Sequence, residues 1–214
     1  MKLTRRQTVL GTGTIAAAAV ALAVMIPVEQ GNAAPRVGEP APDFAATDTY
    51  GNTVHLSDYK GKTVVLEWTN HQCPFVRKHY SSGNMQAHQK AATAEGVVWL
   101  SIISSAPGTQ GYVTAEQANE LTTERDASPT KVLLDPKGTV GHLYDARTTP
   151  GMYVIDAKGM LRYMGAIDDT PTASVADLKT ARSYVTPALA AVLEGGTVDP
   201  AVTRPYGCSV KYGS

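Results

Sequence analysis

Cys73 and Cys208 are the only two cysteines in this chain of 214 residues, and their settings differ. Cys73 follows the apolar run Val64-Val65-Leu66-Glu67-Trp68 and the polar stretch Thr69-Asn70-His71-Gln72, and Pro74 comes directly after it. Proline is favoured at the first position of a helix, so this cysteine is expected to open one. The amide N–H groups at a helix start are unpaired and carry partial positive charge, which favours thiolate over thiol. Arg77, one helical turn on, is placed to add positive charge near the sulfur. The expected chemistry is nucleophilic: a Cys73 thiolate attacking a peroxide oxygen or a disulfide sulfur. The bland alternative is a small buried apolar residue, a common fate of free cysteine.

Cys208 sits in Arg204-Pro205-Tyr206-Gly207-Cys208-Ser209-Val210-Lys211-Tyr212, which has the composition of an ordered tail. It reads either as a resolving cysteine for Cys73 or as a structural thiol, bridged or buried. Glu67 lies inside an apolar strand pattern, where a carboxylate needs a partner. It is expected either to carry protons for the cysteine or to pair with a Lys or Arg. Arg147 reads as facing the site or as solvated. His71, Cys73 and His79 match no common metal-ligand spacing, His88 falls on a helix face read as exposed, and no metal is expected. Tyr80, Tyr153 and Tyr163 read as packing residues. No Gly-rich phosphate loop precedes a helix, so no nucleotide cofactor is expected, nor any other.

The elements that must position these residues follow from the pattern. Short strands are expected at Thr53–Leu56, Thr63–Trp68, Val97–Ile103, Lys131–Leu134, Met152–Ile155 and Leu161–Met164. Helices are expected from Pro74 to about Ala94 with a break at Ser81–Asn84, over Thr114–Arg125, briefly up to Leu143, and from about Ser174 to Leu193. The turn Asp156-Ala157-Lys158-Gly159 joins a hairpin. This order describes an α/β fold with a mixed central sheet flanked by helices.

Several separated motifs together resemble the thioredoxin-like superfamily. Glu67-Trp68 precedes the cysteine as the buried acid and tryptophan do in thioredoxins. Thr149-Pro150 before Gly151-Met152-Tyr153-Val154-Ile155 resembles the family's cis-proline loop. Ala41-Pro42-Asp43-Phe44 and Leu56-Ser57-Asp58-Tyr59-Lys60-Gly61-Lys62 resemble the start of the alkyl hydroperoxide reductase (AhpC/TSA) and peroxiredoxin group. The similarity spans about 38–169 and is nearest to peroxiredoxin-like redoxins with a Cys-Pro-Phe-Val segment. It implies a thioredoxin-like fold, proton handling by Glu67, and substrate held by the Thr149-Pro150 loop. It also implies an external reducing thiol protein and a peroxide or a protein or small-molecule thiol as substrate. Two departures bear on activity. Val76 stands where a Cys-x-x-Cys motif has its second cysteine, so a local dithiol is absent. Leu66 and Asn70 replace the proline and the Thr or Ser of a peroxiredoxin loop, leaving Asn70 as the group to bind a peroxide. The rival readings are a thiol–disulfide exchanger acting on protein cysteines and a non-catalytic or metal-carrying module.

Composition sets the remaining bounds. Hydrophobic residues make up 43% and charged residues 18%, a globular composition, and the net charge of zero excludes a nucleic-acid partner held by bulk charge. Lys2, Arg5 and Arg6 precede an uncharged Ala- and Gly-rich stretch to Val28 and the small residues Gly31, Ala33 and Ala34. Residues 1–33 thus read as a cleaved, twin-arginine-like export signal, followed by one redoxin domain over 38–214 that ends in the Cys208 tail. Export to the periplasm is expected, and membrane attachment only if the signal stays uncleaved.

Overall fold

The computed structural model describes residues 34–213; the expected export signal, 1–33, lies outside them. The central strand is β3 (Val64–Trp68), every residue of which is buried. In chain order it is preceded by β1 (Ala45–Asp48) and β2 (Thr53–His55). It is followed by α1 (Pro74–Ser81), α2 (Asn84–Ala94), β4 (Val98–Ile103), α3 (Ala115–Glu124), β5 (Lys131–Leu134) and α4 (Thr139–Leu143). The rest comprises β6 (Thr148–Thr149), β7 (Gly151–Ile155), β8 (Leu161–Gly165), α5 (Val185–Leu193) and β9 (Cys208–Ser209).

Seven strands form one mixed sheet in the order β2-β1-β5-β4-β3-β7-β8. β3, β4 and β5 run parallel, with Glu67 opposite Ser101, and β7 joins β3 antiparallel, with Glu67 opposite Met152. A parallel core covered on both faces needs continuous apolar strands, which is why Val64–Trp68 and Val98–Ile102 do not alternate with polar residues. Side chains at period two then divide between two cores. Val64, Leu66 and Trp68 point to one, with Phe44, Leu100, Ile102, Tyr144 and Tyr153. Val65 points to the other, with Cys73, Val76, Met85, Trp99, Met152, Val154 and Leu189, under α1, α2 and α5. Each large side chain fully buried there contributes about 1.5–3 kcal/mol. Both tryptophans are fully buried, and the Trp68 indole donates to Ser104 Oγ at 3.1 Å.

Three elements depart from expectation. β1 was not anticipated, because Ala-Ala-Thr-Asp has a single β-branched residue, Thr47, and no aromatic one to mark a strand. It is fixed instead by its end residue: the buried Asp48 carboxylate accepts from the backbone of Tyr50 and Asn52 and pairs with Lys131 at 2.6 Å. The single helix expected over Ser174–Leu193 is a 3-10 turn at Val175–Lys179 followed by α5. Between them the backbone pairs with the segment after β8: Asp169 N–H donates to Arg182 O and Tyr184 N–H to Ile167 O, while the Asp169 carboxylate takes the Arg182 guanidinium. Those bonds outcompete helix propensity. Finally, the tail carries β9, which forms a two-residue antiparallel ladder with β6.

Candidate active site

The loop from β3 to α1 is tied at each step. Thr69 N–H donates to Ile102 O, and Cys73 N–H to Asn70 O at 3.0 Å. The Asn70 carboxamide accepts from Gln72 N–H at 2.9 Å and donates to Gln110 O at 3.2 Å. Gly111 packs so closely on that carboxamide that a Cβ there would overlap it at 2.3 Å. Asn70 therefore spends its side chain on holding the loop. Pro74 follows as the first residue of α1, with Cys73 as the cap and Arg77 N–H donating to Cys73 O at 2.9 Å.

The Cys73 side chain is 0% exposed. Its thiol donates to the Thr149 carbonyl at 3.1 Å, from the loop whose Thr149–Pro150 peptide is cis. Cys208 stands opposite Thr149 in the β6–β9 ladder and packs on the cluster around Cys73. Both thiols are free. Burial alone would raise the Cys73 pKa, but the neighbouring Cys208 thiol and the Val76 and Cys208 N–H groups bring it below the ordinary value. The Thr149 hydroxyl is buried and has no hydrogen-bond partner among the described residues. Cys208 moves the opposite way, pushed up to about 11 by burial, by its bond to Cys73 and by the neighbouring negative charge. The two sulfurs are thus shifted in opposite directions, Cys73 toward easier ionisation and Cys208 toward keeping its proton.

The tail that carries Cys208 is held along its length. Val210 N–H donates to Arg147 O, Ala106 N–H to Lys211 O, and the Tyr212 hydroxyl to Ala146 O at 2.6 Å. The Tyr212 ring stacks on His142 at 4.0 Å. Gly207 has a positive φ of 131° and lies directly against the Thr149 carbonyl, a fit only glycine allows.

The other sequence-derived residues take varied places. Glu67 is fully buried and accepts four hydrogen bonds: Tyr80 Oη at 2.7 Å, Trp99 Nε1 at 2.8 Å, Ser101 Oγ at 2.9 Å and Gln89 Nε2 at 3.1 Å. The alternative of a Lys or Arg partner is not met; all four donors are neutral, and Tyr80, read as packing alone, is one of them. Arg77 is exposed, and its charge acts on Arg125, whose guanidinium lies 5.0 Å from the Tyr80 ring. Arg147 is exposed and paired with Asp145 at 2.7 Å. His88, read as exposed, is half-buried beside Thr186 of α5.

One group near the site was missed. Lys78 is fully buried and pairs with Asp168 at 3.4 Å, with His79 Nε2 3.7 Å from the same carboxylate. Tyr206 of the tail donates to Asp168 and receives a bond from Lys78 at 3.2 Å. Burial holds His79 down at about 4, so it is neutral there. The sequence signal was available only as a lysine between Val76 and His79-Tyr80 on the inward side of α1.

Comparisons bear on this arrangement. Similar solved structures include a hypothetical protein of Sinorhizobium meliloti, 22% identical with a TM-score of 0.70, covering 85% of this chain and 97% of that one. A conserved uncharacterised protein of Geobacillus kaustophilus is 28% identical with a TM-score of 0.68, covering 83% and 93%. A Chlorobium tepidum protein assigned as the thiol:disulfide interchange protein DsbE is 26% identical with a TM-score of 0.50, covering 61% and 85%. A comparison with curated proteins gives no match. The fold is thioredoxin-like, with the mixed sheet and flanking helices expected of it. Residues 37–164, more than half of the chain, match the AhpC/TSA family, and the chain is a thioredoxin-like redoxin that belongs to it.

Proposed function

We propose that this redoxin is an exported thiol–disulfide oxidoreductase whose working pair is Cys73 and Cys208. The observation that carries the reading is the placement of Cys208 opposite Thr149, beside Cys73, with the two thiol pKa values moved in opposite directions. The pair replaces the absent Cys-x-x-Cys across the fold. In the first step the Cys73 thiolate attacks a substrate disulfide, forming a mixed disulfide and expelling one substrate thiolate. In the second, Cys208 attacks the Cys73 sulfur, the Cys73–Cys208 bond forms, the other substrate thiolate leaves, and the Cys208 proton passes to it. Substrate is thereby reduced by two electrons, and an external thiol protein returns the pair to the dithiol. The name of the Chlorobium tepidum DsbE protein, a thiol:disulfide interchange protein, supports this class of chemistry. Glu67 carries protons for the exchange. Thr149 and Pro150 hold the substrate beside Cys73. The order of basic, apolar and small residues in 1–33 supports export to the periplasm.

Peroxide reduction is the second reading, favoured by the buried Thr149 hydroxyl near Cys73, which has no partner among the described residues and can donate to a peroxide oxygen. Asn70, the residue that sequence gave this task, is engaged in the loop. There Cys73 becomes a sulfenic acid, and Cys208 condenses with it to release water.

The test treats reduced protein separately with a small disulfide and with stoichiometric peroxide and follows Cys73–Cys208 formation by mass spectrometry. Faster bond formation with the disulfide supports exchange, and faster formation with peroxide supports the second reading. No such bond with either oxidant overturns both. Cys73→Ser is expected to abolish all turnover.

A further inference from the structure

Lys78 presents a problem that its own helix does not solve. A buried ammonium is costly unless it is paired and hydrogen-bonded. The Lys78 and Asp168 side chains are 0% and 5% exposed, and they meet at 3.4 Å, too long for an ideal charged hydrogen bond. Lys78 Nζ also donates to the Thr170 carbonyl at 2.9 Å and to the Tyr206 hydroxyl at 3.2 Å. Tyr206 in turn donates to Asp168. Its ring lies 5.3 Å from the ammonium and packs edge-on against Phe75 at 5.8 Å. One phenol from the tail therefore touches both members of a buried ion pair that otherwise belongs to α1 and the segment after β8.

Position in the chain gives this contact its meaning. Tyr206 is two residues before Cys208, and Gly207 between them is pressed on the Thr149 carbonyl. Little slack separates the phenol from the thiol. We propose that Tyr206 is the positioning residue that holds Cys208 over Cys73, with the Lys78–Asp168 pair as its socket. The inference rests on the Cys73–Cys208 reading above. Cys73 is sealed from solvent, so a substrate disulfide reaches it only when the tail lifts and the phenol leaves the socket. The socket then sets how readily the tail opens and the effective concentration of the second thiol once it closes.

The test uses the full chain carrying Tyr206→Phe, which keeps the ring on Phe75 and removes the hydroxyl. The first readout is the equilibrium of the Cys73–Cys208 disulfide with glutathione. The second is the rate of Cys73 alkylation by iodoacetamide in the reduced chain. The expected result is a shift of the equilibrium toward the dithiol by about tenfold, with faster alkylation. A variant with lower melting temperature but wild-type equilibrium and alkylation rate overturns the proposal and leaves the redox reading standing. A wild-type chain that forms no Cys73–Cys208 disulfide overturns the redox reading, and the alkylation rate then decides alone: faster in Tyr206→Phe supports the socket, equal rates overturn it. In the charge-free background Lys78→Met with Asp168→Leu, the effect of Tyr206→Phe is expected to shrink strongly, because the hydroxyl keeps only the 3.5 Å contact to His79 Nε2.

Discussion

Gly207 lies so close to Thr149 that a Cβ built on it would meet the Thr149 carbonyl oxygen at 2.1 Å. The same carbonyl accepts from the Cys73 thiol, so the tail and the reactive residue share one anchor.

Gly207→Ala is expected to undock the tail, since the obstacle is backbone and the positive φ adds strain. The cost should be about 1–3 kcal/mol, and Cys73–Cys208 bond formation should slow. Denaturant midpoints and quantitative mass spectrometry check both; an alanine variant that closes the disulfide at the wild-type rate would contradict the fit.

The thiol pair makes a prediction about pH. Burial opposes ionisation of Cys73, yet its donors carry it below 9.0, while Cys208 is pushed up to about 11. Thiolate absorbance should therefore rise in two steps, one below 9.0 and one near 11. Folded Cys73 binds its proton less tightly than the unfolded residue does. The reduced protein should gain stability from this group as pH rises from the lowered value to the ordinary one, and lose it again on acidification. Cys208 acts in reverse, removing stability between its ordinary pKa and about 11. In Cys208→Ala the first step should move upward, because the thiol that donates to Cys73 is gone. Absorbance titration would show it, and an unmoved first step would refute the pairing.

Lys78→Met should destabilise the chain by about 3–5 kcal/mol by leaving the Asp168 carboxylate buried without its cation. Replacing both, with Asp168→Leu added, should recover most of that loss. Urea unfolding measures the series, and a double variant no better than the single would count against an uncompensated charge as the cause.

Glu67→Leu strands the donors of Tyr80, Gln89, Trp99 and Ser101 in a dry interior. The expected cost is about 3 kcal/mol or more. Glu67→Gln keeps the shape and should be milder in stability while slowing exchange at Cys73. Unfolding midpoints paired with exchange rates separate the structural part from the proton-carrying part.

The sheet and the reactive loop were legible in the sequence because their signals are local. Continuous apolar runs mark the parallel strands, and Cys73-Pro74 marks the helix start. Other features were hidden because they depend on distant partners. The β6–β9 ladder has two residues per strand, too few for any periodicity to show. The break before α5 arises from pairing of Arg182–Tyr184 with the segment after β8, which no propensity reports. Arg77 and Lys78 illustrate the point most directly. Spacing from Cys73 favoured Arg77, but the helix turns Arg77 outward and buries Lys78, whose partners lie 90 residues and more away in the chain.

The two indoles of the chain, Trp68 and Trp99, are sealed in adjacent central strands, each bonded to a polar side chain of the interior. Their emission consequently registers loss of the sheet. Peeling of the C-terminal strap instead changes the surroundings of Tyr206 and Tyr212. Near-ultraviolet dichroism in the tyrosine band and indole fluorescence are in effect two separate gauges, one for the strap and one for the body beneath it.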